Sequence, residues 1–502
     1  MNEIFCKHLL EYRKRAGYSQ KDMSGKLLIE ESLYSQYENG TAEPGFDALI
    51  RIADVLKCSL DELLGRNSDY RNSWIDSGVV REEQVLYGRP RDKKKVLIGL
   101  QDFRRLRELH AYYVDKTMMI GEFLDSSYQI TLITRPRRFG KTMNMSMLAE
   151  FLDCTKDSRM IFEGTRVSRT EWMTELNQCP VIFLSLLEIK SDTAEGMLWQ
   201  LSGRIREEYK RYYNMLNSGK LSGDQVEEFN HIYDVLTYVQ SKEQWKNCII
   251  RSILVLCEVL SLYYGKNVYL LIDEYDTPFM SANTNGYYSE VRSVLAGFLS
   301  TSLKGNPYLE RAMLTGIQRV AKENIFSGLN NLTVLTVNDS EYEDCFGFTE
   351  EEVRKLLDDF DLEFTDEVKE TYDGYRFGNK DIYNPWSVTN YAVRKRLAPY
   401  WVNTAENSIL KDALRERGTT FEKEYNELIE TGEITTVVSL TTAYYEHQSD
   451  ASLWGLMVNA GMLTVKEIMG DDYYTLRIPN QEVWSAFREL TAFSLQIDEG
   501  DM

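Results

Sequence analysis

Lys141-Thr142 and Asp273-Glu274 are the residues of this chain that could do chemistry together. The first pair closes the run Arg135-Pro136-Arg137-Arg138-Phe139-Gly140-Lys141-Thr142. That run follows an apolar β-branched stretch, Ile130 to Thr134, and precedes a Met-rich helical pattern, Met143 to Leu152. Strand, tight loop ending in Gly-Lys-Thr, then helix is the layout of a phosphate-binding loop. In it Gly140 lets the backbone approach phosphate. Lys141 would reach the β- and γ-phosphates, and Thr142 would hold Mg²⁺ through its hydroxyl. The usual pattern opens with Gly, and Arg135 stands at that position. Gly-Lys-Thr is short, so a second half of the site is required.

That half lies near residue 270. Val268 to Ile272 is a continuous apolar run, as expected of a central parallel strand buried on both faces. Asp273-Glu274 follows directly. An acid pair at the carboxyl end of such a strand can hold a nucleotide-bound Mg²⁺ and orient a water. Asp273 would bind the metal, through Thr142 or a water, and Glu274 would polarise the attacking water. Solvated acids capping a strand are the plainer alternative, and the upstream Gly-Lys-Thr weighs against it. Arg137 or Arg138 would add charge at the phosphates, beside Phe139 and Gly140. Arg319, shortly after the apolar stretch Ala312–Thr315, reads either as a sensor of the γ-phosphate or as a surface arginine. The cofactors this constellation calls for are ATP and Mg²⁺.

The elements that must position these groups follow from patterning. A chain of 502 residues suggests roughly three domains. Hydrophobic residues make up 43%, enough for ordinary cores, and no uninterrupted run of about 18 apolar residues occurs, so no membrane-spanning helix is expected. Met1 to Lys14 is amphipathic and charged, unlike a secretory signal. Seven scattered Cys without CxxC pairs point to reduced thiols and a cytoplasmic location, and four dispersed His suggest no metal site. The net charge of −20 excludes DNA binding through the overall field and leaves it to a local patch.

Residues 1–66 read as compact and helical. Ser19 caps one helix, a second runs around Glu31 to Glu38 and closes at Asn39-Gly40, and Phe46 to Leu56 keeps helical spacing after Pro44. Ser59 caps Leu60 to Leu64. Residues 67–95 read as a linker. Across 96–340, strand patterns (Tyr128–Thr134, Val181–Leu187, Val268–Ile272, Ala312–Thr315, Thr333–Val337) alternate with helical ones. These are Met143–Leu152, Ala194–Tyr213, Gln225–Tyr238, Cys248–Tyr263 and Tyr287–Leu303. The alternation argues for a parallel sheet flanked by helices, with ligands beyond the strand carboxyl ends. Residues 341–400 read as a helical lid region, with Thr349 capping one helix and Pro385-Trp386-Ser387 opening another. There Tyr372 to Gly378 forms a Gly-punctuated aromatic loop expected over the nucleotide. Residues 401–490 read as a small α+β, winged-helix-like unit whose hairpin strands are Met462–Glu467 and Tyr473–Ile478. Residues 491–502 form an acidic tail. The fold class expected is therefore multidomain α/β.

Residues 1–66 resemble the Cro/CI-type helix-turn-helix domain through Ser19-Gln20, Tyr37-Glu38-Asn39-Gly40, Pro44 and Ser59 to Leu64. That resemblance makes Ser32 to Tyr37 a recognition helix for the major groove. Gln20, Lys21, Ser32, Tyr34, Ser35 and Gln36 would then approach DNA. Nine Lys and Arg against eleven Asp and Glu leave this segment acidic, and Glu30 and Glu31 would repel phosphates or accept from cytosine amino groups. Dimerisation or protein docking is the alternative use.

From about Ile98 to Val483 the chain resembles the bacterial AAA-ATPase-like family, commonly fused to a PD-(D/E)XK nuclease domain. The resemblance rests on Ile98 to Phe103, Tyr113 to Thr117, Arg135 to Thr142, Asp273 to Pro278 and Leu314-Thr315-Gly316. It continues through Phe326 to Asn331, Tyr372 to Gly378 and Ile478-Pro479-Asn480. Arg135 in place of Gly is what this family shows. In relatives the nuclease follows Ile-Pro-Asn, whereas only 22 residues follow Asn480 in this chain of 502, so no nuclease is expected there. Glu188-Ile189-Lys190 reads as Glu-x-Lys at a strand end but lacks a partner Asp on a neighbouring hairpin strand, and a solvated strand exit is the plainer reading. The expectation is a nucleotide-driven switch that binds ATP, hydrolyses it and couples its state to DNA binding. The alternatives are a transcriptional regulator with little turnover, in which nucleotide sets a homo-oligomeric state, and an antiphage or mobile-element factor acting with a separate nuclease.

Overall fold

The computed structural model describes residues 3–27, 29–42, 44–56, 95–319, 331–401, 419–441, 448–470 and 472–487. The chain forms two compact units, Met1–Lys93 and Lys94–Met502. The expected Leu60–Leu64 helix, the linker up to residue 94 and the acidic tail lie outside the described residues.

The first unit packs the helices Glu3–Arg15, Gln20–Leu27, Glu31–Asn39 and Phe46–Leu56 around Phe5, Leu9, Met23, Leu27, Tyr34, Tyr37, Ile52 and Leu56. Ser19 starts its helix by a reciprocal cap. Its Oγ accepts from Asp22 N at 3.1 Å, and Asp22 Oδ2 accepts from Ser19 N at 2.8 Å. Gly40 closes the third helix in the left-handed conformation, φ 76°. A half-buried ion pair joins the first and third helices: Arg13 Nε donates to Glu38 Oε1 at 2.5 Å and Arg13 Nη2 to Oε2 at 3.0 Å.

The second unit is built on a five-stranded parallel sheet of order β2-β3-β4-β1-β5. The strands are β1 Ile130–Thr134, β2 Val181–Ser185, β3 Val268–Asp273, β4 Leu309–Gly316 and β5 Leu332–Leu335. β5 stops before the expected Val337 because Asp339 Oδ2 accepts from Thr336 N at 2.6 Å and turns the chain. Period-2 alternation assigns side chains to two cores. Ile130, Leu132, Leu270, Ile272, Ala312 and Leu314 face the helices Ala194–Tyr212, Gly223–Thr237, Lys242–Tyr264 and Tyr288–Leu303. Ile133, Leu271 and Met313 face the helix Lys141–Leu152. Asp273 and Thr315 continue this second series, so both project toward the helix that begins at Lys141. Lys242–Tyr264 is, by length and composition alone, long and apolar enough to cross a membrane. Its Ile249, Ile253, Leu256 and Leu260 instead fill the first core.

Two antiparallel sheets follow: β6-β8-β7, from β6 Phe348–Thr349, β7 Tyr375–Phe377 and β8 Lys380–Tyr383, and β10-β11-β9, from β9 Glu433–Val437, β10 Thr464–Gly470 and β11 Tyr473–Arg477. β9 adds a third strand to the expected hairpin. The second core runs from Phe103 through Phe139 and Tyr375 to Trp454 and Phe487, so segments 96–340, 341–400 and 401–490 share it. The Tyr372–Gly378 segment is not a loop over the nucleotide. Tyr372 ends a helix, and β7 packs Tyr375 and Phe377 against Phe139, with ring centroids 4.9 and 5.2 Å away.

Candidate functional site

β1 delivers the chain to Arg135, whose N–H donates to Gly316 O at 3.2 Å. The Arg135 side chain is fully buried beneath the loop. Its Nη1 donates to Thr134 O at 2.9 Å and Thr336 O at 2.6 Å, and its guanidinium lies 5.1 Å from the Phe377 ring centroid. Burial pushes its pKa down to about 10. The loop then turns through Arg138 (φ 70°) and Gly140 (φ 89°), both left-handed, and Gly140 caps the helix Lys141–Leu152. A Cβ on Gly140 would meet no heavy atom within 4 Å. Glycine there serves the backbone conformation, and the space over the loop is open. Phe139 also borders the cleft, while its side chain is fully buried and packs in the core.

The acidic half meets this loop directly. Thr142 Oγ1 donates to Asp273 Oδ2 at 2.8 Å, and Thr315 Oγ1 donates to Asp273 Oδ1 at 2.6 Å. Lys141 Nζ lies 3.2 Å from Glu274 Oε1 and donates to Arg135 O at 3.0 Å and Pro136 O at 3.2 Å. Burial, reinforced by the Glu274 charge, pushes Asp273 up to about 6. Glu274 has φ 52°, a left-handed conformation at the end of β3. Asp276 is fully buried beside it. Its Oδ2 accepts from Ile317 N and Gln318 N, each at 2.9 Å, and burial pushes it up to about 6. Gly316 is required here, since a Cβ would stand 2.7 Å from Asp276 Oδ1 and from the Tyr275 ring.

These groups open onto a cleft of about 480 Å³. Gly140, Lys141, Thr142, Glu274, Arg137 and Arg138 line its polar part; Leu97, Leu106, Tyr113, Phe348 and Trp386 line its apolar part. Arg138 stacks 4.2 Å from the Trp386 ring centroid. The donor set fits a magnesium nucleotide. A threonine hydroxyl and a carboxylate stand together, an ammonium lies beside them, and the unpaired N–H groups of a helix start face open space. The structure thus brings Lys141, Thr142, Asp273, Glu274, Arg137, Arg138 and Gly140 to one place. It does not bring Arg319 there: Arg319 is not on the cleft wall, and its Nε is buried without a partner among the described residues. Sequence reasoning missed the roles of Thr315 and Asp276. The signal for Thr315 was its place in Leu314-Thr315-Gly316; the structure supplies the reason, since β4 pairs Leu314 with Ile272 and the next residue on each strand shares a face.

In the first unit the third helix exposes Ser32 and Gln36, with Ser35 half-buried and Lys21 exposed on the preceding helix. Asn39, exposed and at helical spacing from Ser32 and Gln36, extends that face and was not anticipated. Gln20 Nε2 donates to Glu38 Oε2 at 2.8 Å. Tyr34 is fully buried in the helical core and cannot reach DNA, which corrects the expectation: it lies one turn from buried Tyr37 on the inner face.

Comparison with known proteins agrees with this division. Residues 97–326 match the family described as "Predicted AAA-ATPase", and residues 9–63 match "Helix-turn-helix". An uncharacterized protein in the vnfD 5' region of Azotobacter chroococcum mcd 1 is 27% identical over 417 residues, covering 79% of this chain and 70% of that protein. Two proteins of Bacillus subtilis (strain 168) are similar at the N-terminus alone. The uncharacterized HTH-type transcriptional regulator YqaE is 38% identical over 66 residues, 13% of this chain and 57% of its own length. The HTH-type transcriptional regulator ImmR is 38% identical over 89 residues, 16% of this chain and 70% of its own. The chain therefore joins a helix-turn-helix domain to a domain of the predicted AAA-ATPase family.

Proposed function

We propose that the second unit binds ATP with Mg²⁺ and hydrolyses it, and that nucleotide state governs DNA binding by residues 1–66. The observation that carries the reading is the linked set Thr142–Asp273–Thr315 beside Lys141–Glu274. Thr142 and Asp273 are the residues that would hold Mg²⁺, which when bound neutralises charge on the β- and γ-phosphate oxygens. Lys141 supplies positive charge to the same oxygens. Glu274 accepts a hydrogen bond from the attacking water and aligns it. Arg137 and Arg138 add charge at the rim, and the apolar wall beside Trp386 takes the base. Free thiols, among them Cys154, Cys248 and Cys345, support a reducing, cytoplasmic setting.

The test is Mg²⁺-dependent ATP turnover by the full chain, with and without duplex DNA. Lys141→Ala should abolish nucleotide binding. Glu274→Gln should keep binding and lower turnover by about 10²- to 10⁴-fold. Tight ATP binding retained in Lys141→Ala would refute the site. The names of the N-terminal relatives favour a second reading, a transcriptional regulator that binds ATP with little turnover. Selection of a discrete DNA site by the chain, together with ATP binding but no hydrolysis, would decide for it.

A further inference from the structure

We propose that Lys190 contacts the terminal phosphate of the bound nucleotide and makes the cleft discriminate a nucleoside triphosphate from the diphosphate. The inference rests on the nucleotide reading above and extends it to a residue outside both the phosphate loop and the acid pair.

The position of Lys190 follows from the sheet. β2 lies on the side of β3 away from β1, and Ser185 pairs with Asp273. Leu186 N donates to Asp273 O at 2.9 Å, so residues 186–190 turn across the carboxyl end of β3, where Glu274 emerges. The turn is braced on both sides of Lys190. Ile189 is buried and its N–H donates to Leu186 O at 3.1 Å. Ser191 O accepts from Tyr287 Oη at 2.6 Å and Asn285 Nδ2 at 3.2 Å, and Ser191 N donates to Ser281 Oγ at 3.4 Å. Those three partners lie on the helix Thr277–Thr284 and just after it, so the turn is fixed to the segment that follows the acid pair.

Lys190 lines the cleft together with Lys141, Thr142, Glu274 and Thr277, whereas Glu188, its neighbour in the Glu-x-Lys pattern, does not. Lys141 follows β1 and Lys190 follows β2, and in the strand order these flank β3, after which Glu274 emerges, on opposite sides. The phosphate nearest Glu274 is the one transferred to water, so a cation on the far side of Glu274 meets the terminal phosphate. An ammonium on a flexible four-carbon stem with three donors suits that contact. A diphosphate lacks the group and would not use it.

Equilibrium binding of a non-hydrolysable ATP analogue and of ADP, both with Mg²⁺, tests this in the full chain. The proteins are wild type, Lys190→Gln, Lys190→Arg and Lys141→Ala. Lys190→Gln should weaken the triphosphate by about tenfold or more, the worth of one hydrogen bond to a charged group. ADP affinity should stay within about twofold, and Lys190→Arg should restore most of the loss. Equal weakening of both nucleotides, or of neither, overturns the role of Lys190 while Lys141-dependent binding by wild type keeps the nucleotide reading. Failure of wild type to bind either nucleotide overturns the reading and the inference with it.

Discussion

Thr315→Val removes one hydroxyl from the candidate site and leaves its shape nearly intact. Thr315 and Asp273 are both fully buried, and the bond between them is 2.6 Å long. A hydrogen bond to an ionised carboxylate contributes about 1.5–3 kcal/mol, and one between neutral groups about 0.5–1.5 kcal/mol. Burial, with the Glu274 charge beside it, pushes Asp273 up to about 6, so its carboxyl is more protonated at pH 5 than at pH 8. Its folded pKa lies above the ordinary value of 3.8, so the stability it contributes is full below that value and is lost as pH rises through about 6. The Thr315 donor favours the charged form and limits this loss. Removing it should cost about 1 kcal/mol at pH 5 and about 2 kcal/mol at pH 8, equivalent to raising the Asp273 pKa by roughly one unit. Urea unfolding followed by tryptophan fluorescence at the two pH values measures both costs. Seven of the eight tryptophans, Trp172 to Trp484, lie in the second unit and only Trp74 in the first, so the signal reports chiefly on the second unit. A penalty equal at both pH values, or larger at pH 5, would refute the assignment of Thr315 as donor to an ionised Asp273.

Three further outcomes are expected. Glu482 is buried, accepts from Ser387 Oγ at 2.9 and 2.8 Å and from Trp401 N at 2.7 Å, and is pushed by burial up to about 7. Its contribution is present below about 4.5 and lost as pH rises through about 7, so Glu482→Gln should flatten the fall in stability between pH 5 and 8 by up to about 3 kcal/mol, read from the same unfolding curves. Gly374 has φ 111°, and a Cβ there would lie 1.9 Å from Pro479 O, so Gly374→Ala should destabilise the second unit by about 3 kcal/mol or more, seen as a lower urea midpoint. Glu38→Ala leaves the half-buried Arg13 without its partner and should cost the first unit about 1–2 kcal/mol, measured as lost hydrogen-exchange protection in residues 3–56 with protection in the second unit unchanged.

What could be read from the sequence was local. Gly-Lys-Thr after a β-branched run and an acid pair after an apolar run each carry their own signature. The parallel sheet then brings them together because both sit at strand carboxyl ends. Side-chain orientation was not local. Tyr34 sits inside the segment that resembles a recognition helix, and only packing against the other helices shows that it shares the inner face with Tyr37. Phe139 borders the cleft, and yet its ring is buried in the core against Tyr375 and Phe377. β9 was invisible because Glu433–Val437 becomes a strand by pairing with β11, far away in sequence. The aromatic-glycine segment 372–378 and the Ile478-Pro479-Asn480 motif looked unrelated. They touch: Asn480 Nδ2 donates to Asp373 O at 2.8 Å and Arg477 Nη2 to Gly374 O at 3.1 Å. The glycine is needed because Pro479 occupies the space a side chain would fill.

The arginine at the head of the phosphate loop follows from the same architecture. Parallel strands end in carbonyls that point past the sheet and need donors. Arg135 supplies them beneath the loop, reaching carbonyls at the ends of both β1 and β5, and rests on Phe377. A glycine there would leave Thr336 O and Thr134 O without those donors. The loop is then gripped at three further points by residues from later in the chain. Tyr375 and Phe377 pack against Phe139, Gly347 N donates to Phe139 O at 2.9 Å, and Trp401 Nε1 donates to Arg137 O at 3.2 Å. Trp401 is in turn held by Glu482, on the last described helix. Segments 341–400 and 401–490 therefore act as the bed of the loop. If the cleft takes the proposed nucleotide, a shift of Arg137 or Phe139 would be felt at Trp401 and β7 through these contacts, and substitution of Trp401 or Phe377 would remove them.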